Sequence, residues 1–233
     1  MATKRAEAEM SDGGAPPDNP RRPAAIRANA PVDTVAYLCS VIPSNRLDHL
    51  EALCRRTLLE CPGHVLEVGV YRGGSLLTLA RAVKEQCPQY RVIGIDTFRG
   101  HPYTDGHPVH PVGKFSDVDI AILREALARA GFSDVVELHQ GRVESVLDSL
   151  GLCDVAFAHI DCDLYDPVRY CAERLPLVMK PGGVIYFDDY GHEHCPGATR
   201  AVLERFPKGE LQEVFMPDDG TCWSCHVRVG GPP

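Results

Sequence analysis

The segment His64-Val-Leu-Glu67-Val-Gly69-Val-Tyr71-Arg-Gly73-Gly74-Ser75 begins as an apolar β-run and breaks into glycines. Leu76, Leu79, Ala80 and Val83 follow at helical spacing, so a strand feeds a helix through a glycine-rich turn. Glycines let a backbone approach a ligand closely, and a helix N-terminus offers N–H groups to an anion. The spacing is not G-x-G-x-x-G, so a dinucleotide is not the first expectation. Outward from this segment, strand-like and helix-like runs alternate, the pattern of a parallel sheet with crossover helices.

The second strand is Arg91-Val-Ile-Gly-Ile-Asp96, and residues 97–115 form a long loop carrying His101, His107 and His110. A loop of that length is uncommon without a function, and it is a candidate lid. A helix is expected over 116–130, stopped by Gly131, then a third strand over 135–139. The fourth strand, 155–160, ends in Asp161-Cys162-Asp163. Asp166 as N-cap and Pro167 start a helix that runs to Lys180-Pro-Gly-Gly183. The fifth strand, 184–187, ends in Asp188-Asp189, and a helix over 198–206 and strands over 211–216 and 221–229 close the chain. Before the first strand, 32–40 and 44–60 read as helices, the second capped by Ser44.

The 233 residues suit one α/β domain, and 44% hydrophobic content marks a globular chain. A net charge of -8 argues against nucleic acid as the main partner. No apolar run is long enough to span a membrane. Residues 1–31 lack an apolar core of a signal peptide and read as a disordered tail, leaving 32–233 as the domain. Glu7, Glu9, Asp12 and Asp18 disfavour a transit peptide. The ten cysteines are then expected as reduced thiols in a cytoplasmic protein.

Two clusters carry the chemistry. Glu67 is a carboxylate at the end of an apolar strand, placed to hold an amino group while Ser75 and the helix N-terminus hold a carboxylate. A ligand with both is an amino acid, such as the methionine part of S-adenosylmethionine; the bland alternative is a plain turn beside a solvated Glu. Asp96, 29 positions on, can accept both ribose hydroxyls, and Gly141 and Glu144 lie where an adenine would sit. The second cluster is acidic. Asp161, Asp163, Asp188 and Asp189 end two strands that open on one sheet edge. Like charges so close need compensation, and carboxylates suit a hard cation such as magnesium, calcium or manganese. The alternative is four loop acids sharing no site.

Glu67–Ser75, Asp96-Thr-Phe-Arg-Gly-His-Pro102, His159-Ile-Asp-Cys-Asp-Leu-Tyr165 and Gly182-Gly-Val-Ile-Tyr-Phe-Asp-Asp-Tyr-Gly191 together resemble the macrocin O-methyltransferase family. Its members methylate sugar hydroxyls of macrolide and aminocoumarin antibiotics. The resemblance covers about residues 40–229, and the joint order of four motifs makes it specific. It implies a Rossmann-like class I methyltransferase: a seven-stranded, mostly parallel sheet with an antiparallel last strand and helices on both faces. It also implies S-adenosylmethionine bound through Glu67, Gly69, Tyr71, Gly73, Ser75 and Asp96, with Gly141 and Glu144 at the adenine. Asp161, Asp188 and Asp189 match magnesium ligands, and Asp163 matches a general base, with Asp161 beside it. The partner implied is a small hydroxyl-bearing acceptor, with no nucleic acid and no membrane; a homo-oligomer is compatible with the sequence, which specifies no oligomeric state. The Glu67–Ser75 segment also resembles catechol O-methyltransferase, but Leu164 stands where that enzyme has its Lys, which argues against the same base.

Three other patterns compete. Asp161-Cys162-Asp163 fits the Asp-x-Asp of a metal-dependent glycosyltransferase, which leaves the Glu67–Ser75 turn without a role. Cys222-Trp-Ser-Cys225-His226 fits a c-type haem attachment, but the segment reads as the last strand. Cys222 and Cys225 with His192, His194 or Cys195 would give a zinc set whose spacing is not diagnostic.

Overall fold

The computed structural model describes residues 38–215 and 220–230. Helix α1 (Ser44–Glu60) precedes strand β1 (His64–Val68). Then come α2 (Gly74–Gln86), β2 (Val92–Asp96), α3 (Ile120–Arg129), β3 (Val136–Gln140) and the single turn α4 (Val143–Val146). The second half is β4 (Val155–Ile160), α5 (Tyr165–Arg174), β5 (Met179–Phe187), α6 (Pro196–Arg205), β6 (Gln212–Phe215) and β7 (Cys222–Arg228).

The seven strands form one sheet in the order β3-β2-β1-β4-β5-β7-β6. The first five strands run parallel, and β7 pairs antiparallel to both β5 and β6. The expected architecture is therefore present: β7, the last strand, alone is reversed, and β6 runs in the direction of the first five. Strand β4 is buried along its whole length, which its unbroken apolar run requires in a sheet covered on both faces. On one face Leu50, Leu53 and Leu58 of α1 join Leu76, Leu79 and Val83 of α2 and Leu123 of α3. On the other, Val168, Cys171 and Ala172 of α5 meet Ala198, Ala201 and Val202 of α6. Burying one such Leu or Val side chain contributes about 1.5–3 kcal/mol.

The chain leaves β1 toward β2 and β3, then returns to β4 on the other side of β1. That reversal opens a crevice at the C-terminal ends of β1 and β4, where α/β sheets bind ligands. Among the described residues no helix is long and apolar enough to cross a membrane.

Several boundaries differ from expectation. Residues 38–40 have no regular structure, and the rest of the expected first helix and the tail over 1–31 lie outside the described residues. Ser44 is the first helical residue of α1, behind Pro43, and caps nothing with its side chain. Helix α3 starts at 120, not 116, because Asp119 accepts from the N–H groups of Ala121 and Ile122 at 2.8 and 3.4 Å. Helix α5 includes Tyr165 and Asp166 and ends at Arg174; β5 then runs straight through Pro181-Gly182-Gly183. The Gly182 N–H donates to Val229 O at 2.7 Å, which ties that segment to the sheet.

Candidate active site

A cleft of about 470 Å³ lies at this crevice. Gly69, Tyr71, Asp96, Gly141 and Glu144 line one part of it, and Asp161, Asp163, Asp188 and Asp189 another. The structure thus brings most of the expected site residues to one cavity.

At the glycine turn, Gly69 has φ 92°, and a Cβ there would stand 1.7 Å from the Asp161 carbonyl oxygen. Only glycine allows the ends of β1 and β4 to abut so closely. Asp96 closes the turn from β2. Its Oδ2 accepts the N–H groups of Val70 and Tyr71, both at 2.8 Å, and its Oδ1 accepts from Phe98 at 2.7 Å. Tyr71 sits at φ 49° and donates its hydroxyl to Asp117 at 3.1 Å. Gly141, just past β3, cannot carry a Cβ without meeting Val146 Cγ2 at 2.6 Å, and Glu144 pairs with Arg142 at 3.1 Å.

Glu67, Gly73 and Ser75 take other places. Gly73 (φ 76°) forms the left-handed entry to α2, and Ser75 is buried in its first turn. Glu67 is buried under the cleft rather than on its wall. Register sets its neighbour: Glu67 stands opposite His159 of β4. Its Oε1 meets His159 Nδ1 at 2.9 Å, while Oε2 has no hydrogen-bond partner. On the far side, His159 Nε2 lies 3.8 Å from Asp188 Oδ1, an ion-pair distance too long for a hydrogen bond. Burial opposes charge on His159, but Asp188 and Glu67 outweigh it and push its pKa up to about 10. Burial first, with Asp96 adding to it, holds the Glu67 pKa above the usual range, against the pull of His159 and Ser75. The imidazole is therefore a buried cation between two acids.

Asp188 has a second cation. Arg46 of α1 bonds both its carboxylate and, at 3.0 Å, its carbonyl. Burial works against ionisation of Asp188, but His159 and Arg46 prevail and hold its pKa low. Asp163 is a similar case on the loop side. It sits in the left-handed region at φ 59°, and its Oδ2 pairs with His101 Nε2 at 3.0 Å. His110 and Lys114 approach its Oδ1 at 3.7 and 3.9 Å. Burial is again overcome, by His101 first and then Lys114, and the Asp163 pKa lies below the usual carboxylate value.

Asp161 and Asp189 differ. Neither has an ion-pair partner among the described residues. Burial and then Asp188 and Asp189 push the Asp161 pKa well up. Burial and then Asp163 push Asp189 up to about 8, although its Oδ2 accepts the Asp163 N–H at 3.0 Å. The acids also sort into two groups: Asp161 with Asp188 and His159, and Asp189 with Asp163 and Cys195, each within 4.8 Å.

The sequence did not point to Arg46, His159, Lys114 and Trp223 as cleft or support residues, and it offered Cys195 only in a zinc set with Cys222 and Cys225. His159 carried a signal, as a titratable residue inside the apolar run of β4; Arg46 carried none. Of the distractors, Cys222 and Cys225 lie in β7, with Cys225 fully buried and Cys222 donating to Ser224 O at 3.6 Å.

The chain is similar to known proteins. A 4'-O-methyltransferase for 8-demethyl-8-(2,3-dimethoxy-alpha-L-rhamnosyl)-tetracenomycin-C from Streptomyces olivaceus is 27% identical over 194 residues, 78% of this chain and 73% of its own. The mycinamicin III 3''-O-methyltransferase of Micromonospora griseorubida is 26% identical over 204 residues, 82% of this chain and 79% of its own. The solved O-methyltransferase NovP shares the fold, with TM-score 0.69 and 21% identity over 82% of each chain. The family model described as "Methyltransferase domain" matches residues 66–190, from within β1 to just past the Asp188-Asp189 pair. The chain belongs to this methyltransferase domain family, and it is an S-adenosylmethionine-dependent O-methyltransferase.

Proposed function

We propose that the enzyme methylates a hydroxyl of a sugar, or of another vicinal diol in a secondary metabolite, with help from a hard divalent cation, magnesium first. The acceptor class is supported by the relatives, which are named for methylation of a rhamnosyl tetracenomycin and of mycinamicin III. The cation rests on one observation: Asp161, half-buried, and Asp189, buried, both lie at the cleft with pKa values raised by burial first and by neighbouring acids second, and neither has an ion-pair partner among the described residues. An all-oxygen donor set of that kind fits a hard cation. Asp161 and Asp189 would hold it, with Asp188 shared between it and Arg46. When bound, it would supply the positive charge that lowers the pKa of an acceptor hydroxyl.

The chain's own groups do the rest. Asp163 is ionised at neutral pH and faces the cleft, placed to accept the hydroxyl proton. The acceptor oxygen then takes the methyl group from the sulfonium of the donor, and S-adenosylhomocysteine leaves as a neutral thioether. Asp96 and the turn it anchors orient the donor, so that the reaction draws on alignment. The glycosyltransferase alternative is not favoured, because the family match runs through the turn it leaves unexplained.

EDTA should abolish methyl transfer to a rhamnosyl acceptor, and added magnesium should restore it. Full activity in EDTA would leave the methyltransferase standing and remove the cation.

A further inference from the structure

We propose that His101 is the positioning residue of Asp163, a role that rests on the reading of Asp163 as the base: from the stem of loop 97–115 it holds Oδ2 and so presents Oδ1 to the acceptor hydroxyl. The two oxygens of Asp163 are held unequally. Oδ2 meets His101 Nε2 at 3.0 Å, and because an ionised carboxylate only accepts, Nε2 is the donor. Around Oδ1 the groups stand off. His110 Nδ1 at 3.7 Å and Lys114 Nζ at 3.9 Å are beyond hydrogen-bond reach, and Cys195 Sγ at 3.6 Å offers only a weak thiol bond. His110 Nδ1 and Lys114 Nζ face each other instead, at 3.3 Å. Oδ1 is thus the oxygen with capacity for a further strong hydrogen bond.

His101 is itself firmly placed. It is 8% exposed, and its ring packs against His110 at 5.4 Å and, edge to face, against Phe115 at 5.6 Å. Its backbone closes the loop stem: the N–H donates to Lys114 O at 3.0 Å, and the carbonyl accepts from Gly113 N–H at 2.9 Å. Asp163 sits at φ 59°, uncommon for a residue other than glycine, and its N–H is anchored on Asp189 Oδ2 at 3.0 Å. One bond to the backbone and one to Oδ2, from two different segments, leave this carboxylate little freedom to turn. In the reaction the hydroxyl proton passes to Oδ1 while Oδ2 keeps its bond to the Nε2 proton, so His101 neither takes nor gives a proton. Without the imidazole the carboxylate can swing, and a misplacement of about 1 Å costs about a hundred-fold in rate.

The test is steady-state kinetics of the full chain with S-adenosylmethionine, magnesium and a rhamnosyl acceptor, on His101→Leu, Asp163→Asn and the double variant. His101→Leu should lower kcat about ten- to a hundred-fold and leave the donor KM unchanged, since Asp96 and Gly69 line another part of the cleft. His101→Gln, whose amide nitrogen can reach the place of Nε2, should restore most of the loss. In the Asp163→Asn background His101→Leu should cost less than about threefold, because no base is left to aim. Wild-type kcat in His101→Leu, a His101→Gln variant as slow as His101→Leu, or an undiminished loss in the Asp163→Asn background overturns the role. A full rate in Asp163→Asn alone removes the base itself, and the role of His101 with it. If His101→Leu does not fold, His101→Asn, polar but too short to reach Oδ2, takes its place.

Discussion

Arg46→Met isolates the buried ion pair that fixes the acidic half of the cleft. Arg46 and Asp188 are 7% and 4% exposed, so removing the guanidinium leaves a carboxylate with little access to water. Breaking one side of such a buried pair costs about 3–5 kcal/mol. His159 remains, 3.8 Å from Asp188 Oδ1, and still shares its charge, which places the loss near the lower end. For a chain of this size about 3 kcal/mol lowers Tm by roughly 6–12 °C. The pH dependence follows from Asp188, whose folded pKa is held below its ordinary value. A depressed acid stabilises the fold above its unfolded pKa, and that contribution fades as pH falls through the folded value. The gap between wild type and variant should therefore be full at pH 7 and narrow below about pH 4. Urea unfolding in EDTA measures it. Saturating magnesium should close part of the gap, because the ion takes over some of the compensation. Two stabilities within about 1 kcal/mol at pH 7 in EDTA, or a gap that does not shrink in acid, would refute the reasoning.

Asp163→Asn should keep donor binding but lower turnover about a hundred-fold, the loss expected for a general base, with partial recovery at higher pH; stopped-time product assays against pH check it. Asp96→Ala removes a charged acceptor that also holds Val70, Tyr71 and Phe98, so S-adenosylmethionine affinity should fall about ten- to a hundred-fold by calorimetry. Hydrogen exchange over residues 97–115 should slow when donor and acceptor are both present, as a closing lid requires; equal rates would make it a plain surface loop.

The sheet was legible because its signals are local. Apolar runs of strand length, each ending in Gly or Asp, recur between helical periods, and the register then follows from burial on both faces. The acid pairs were legible for the same reason, since strand ends share an edge. What stayed hidden is long-range. Arg46 reaches Asp188 across 142 positions, and Glu67 meets His159 across 92. Neither pairing leaves a trace in spacing. Glu67 looked like a ligand contact because a buried acid and a cleft acid are written alike; only the opposing imidazole distinguishes them. The Lys180–Gly183 stretch misled because Pro-Gly-Gly reads as a stop, whereas here it lies within β5, tied by the Gly182 N–H to Val229 O.

The loop after β2 is pinned at its stem. The His101 N–H donates to Lys114 O at 3.0 Å, the Gly113 N–H returns to His101 O at 2.9 Å, and a Cβ on Gly100 would meet Lys114 O at 2.3 Å. At the tip, nothing lies within 4 Å of a Cβ placed on Gly106. Tyr103 and Val109 from this tip face the cleft, whereas Asp96 and Gly69 do not depend on it. On the proposed reading the enzyme is divided into a donor platform, built on Asp96 and Gly69, and an acceptor-facing tip over 102–109, which meets the body through His107 against His194 and Tyr103 against Arg142. Evolution, or a designer grafting tips from related enzymes, can re-aim it toward new acceptors while the stem, the sheet and the methyl donor stay as they are.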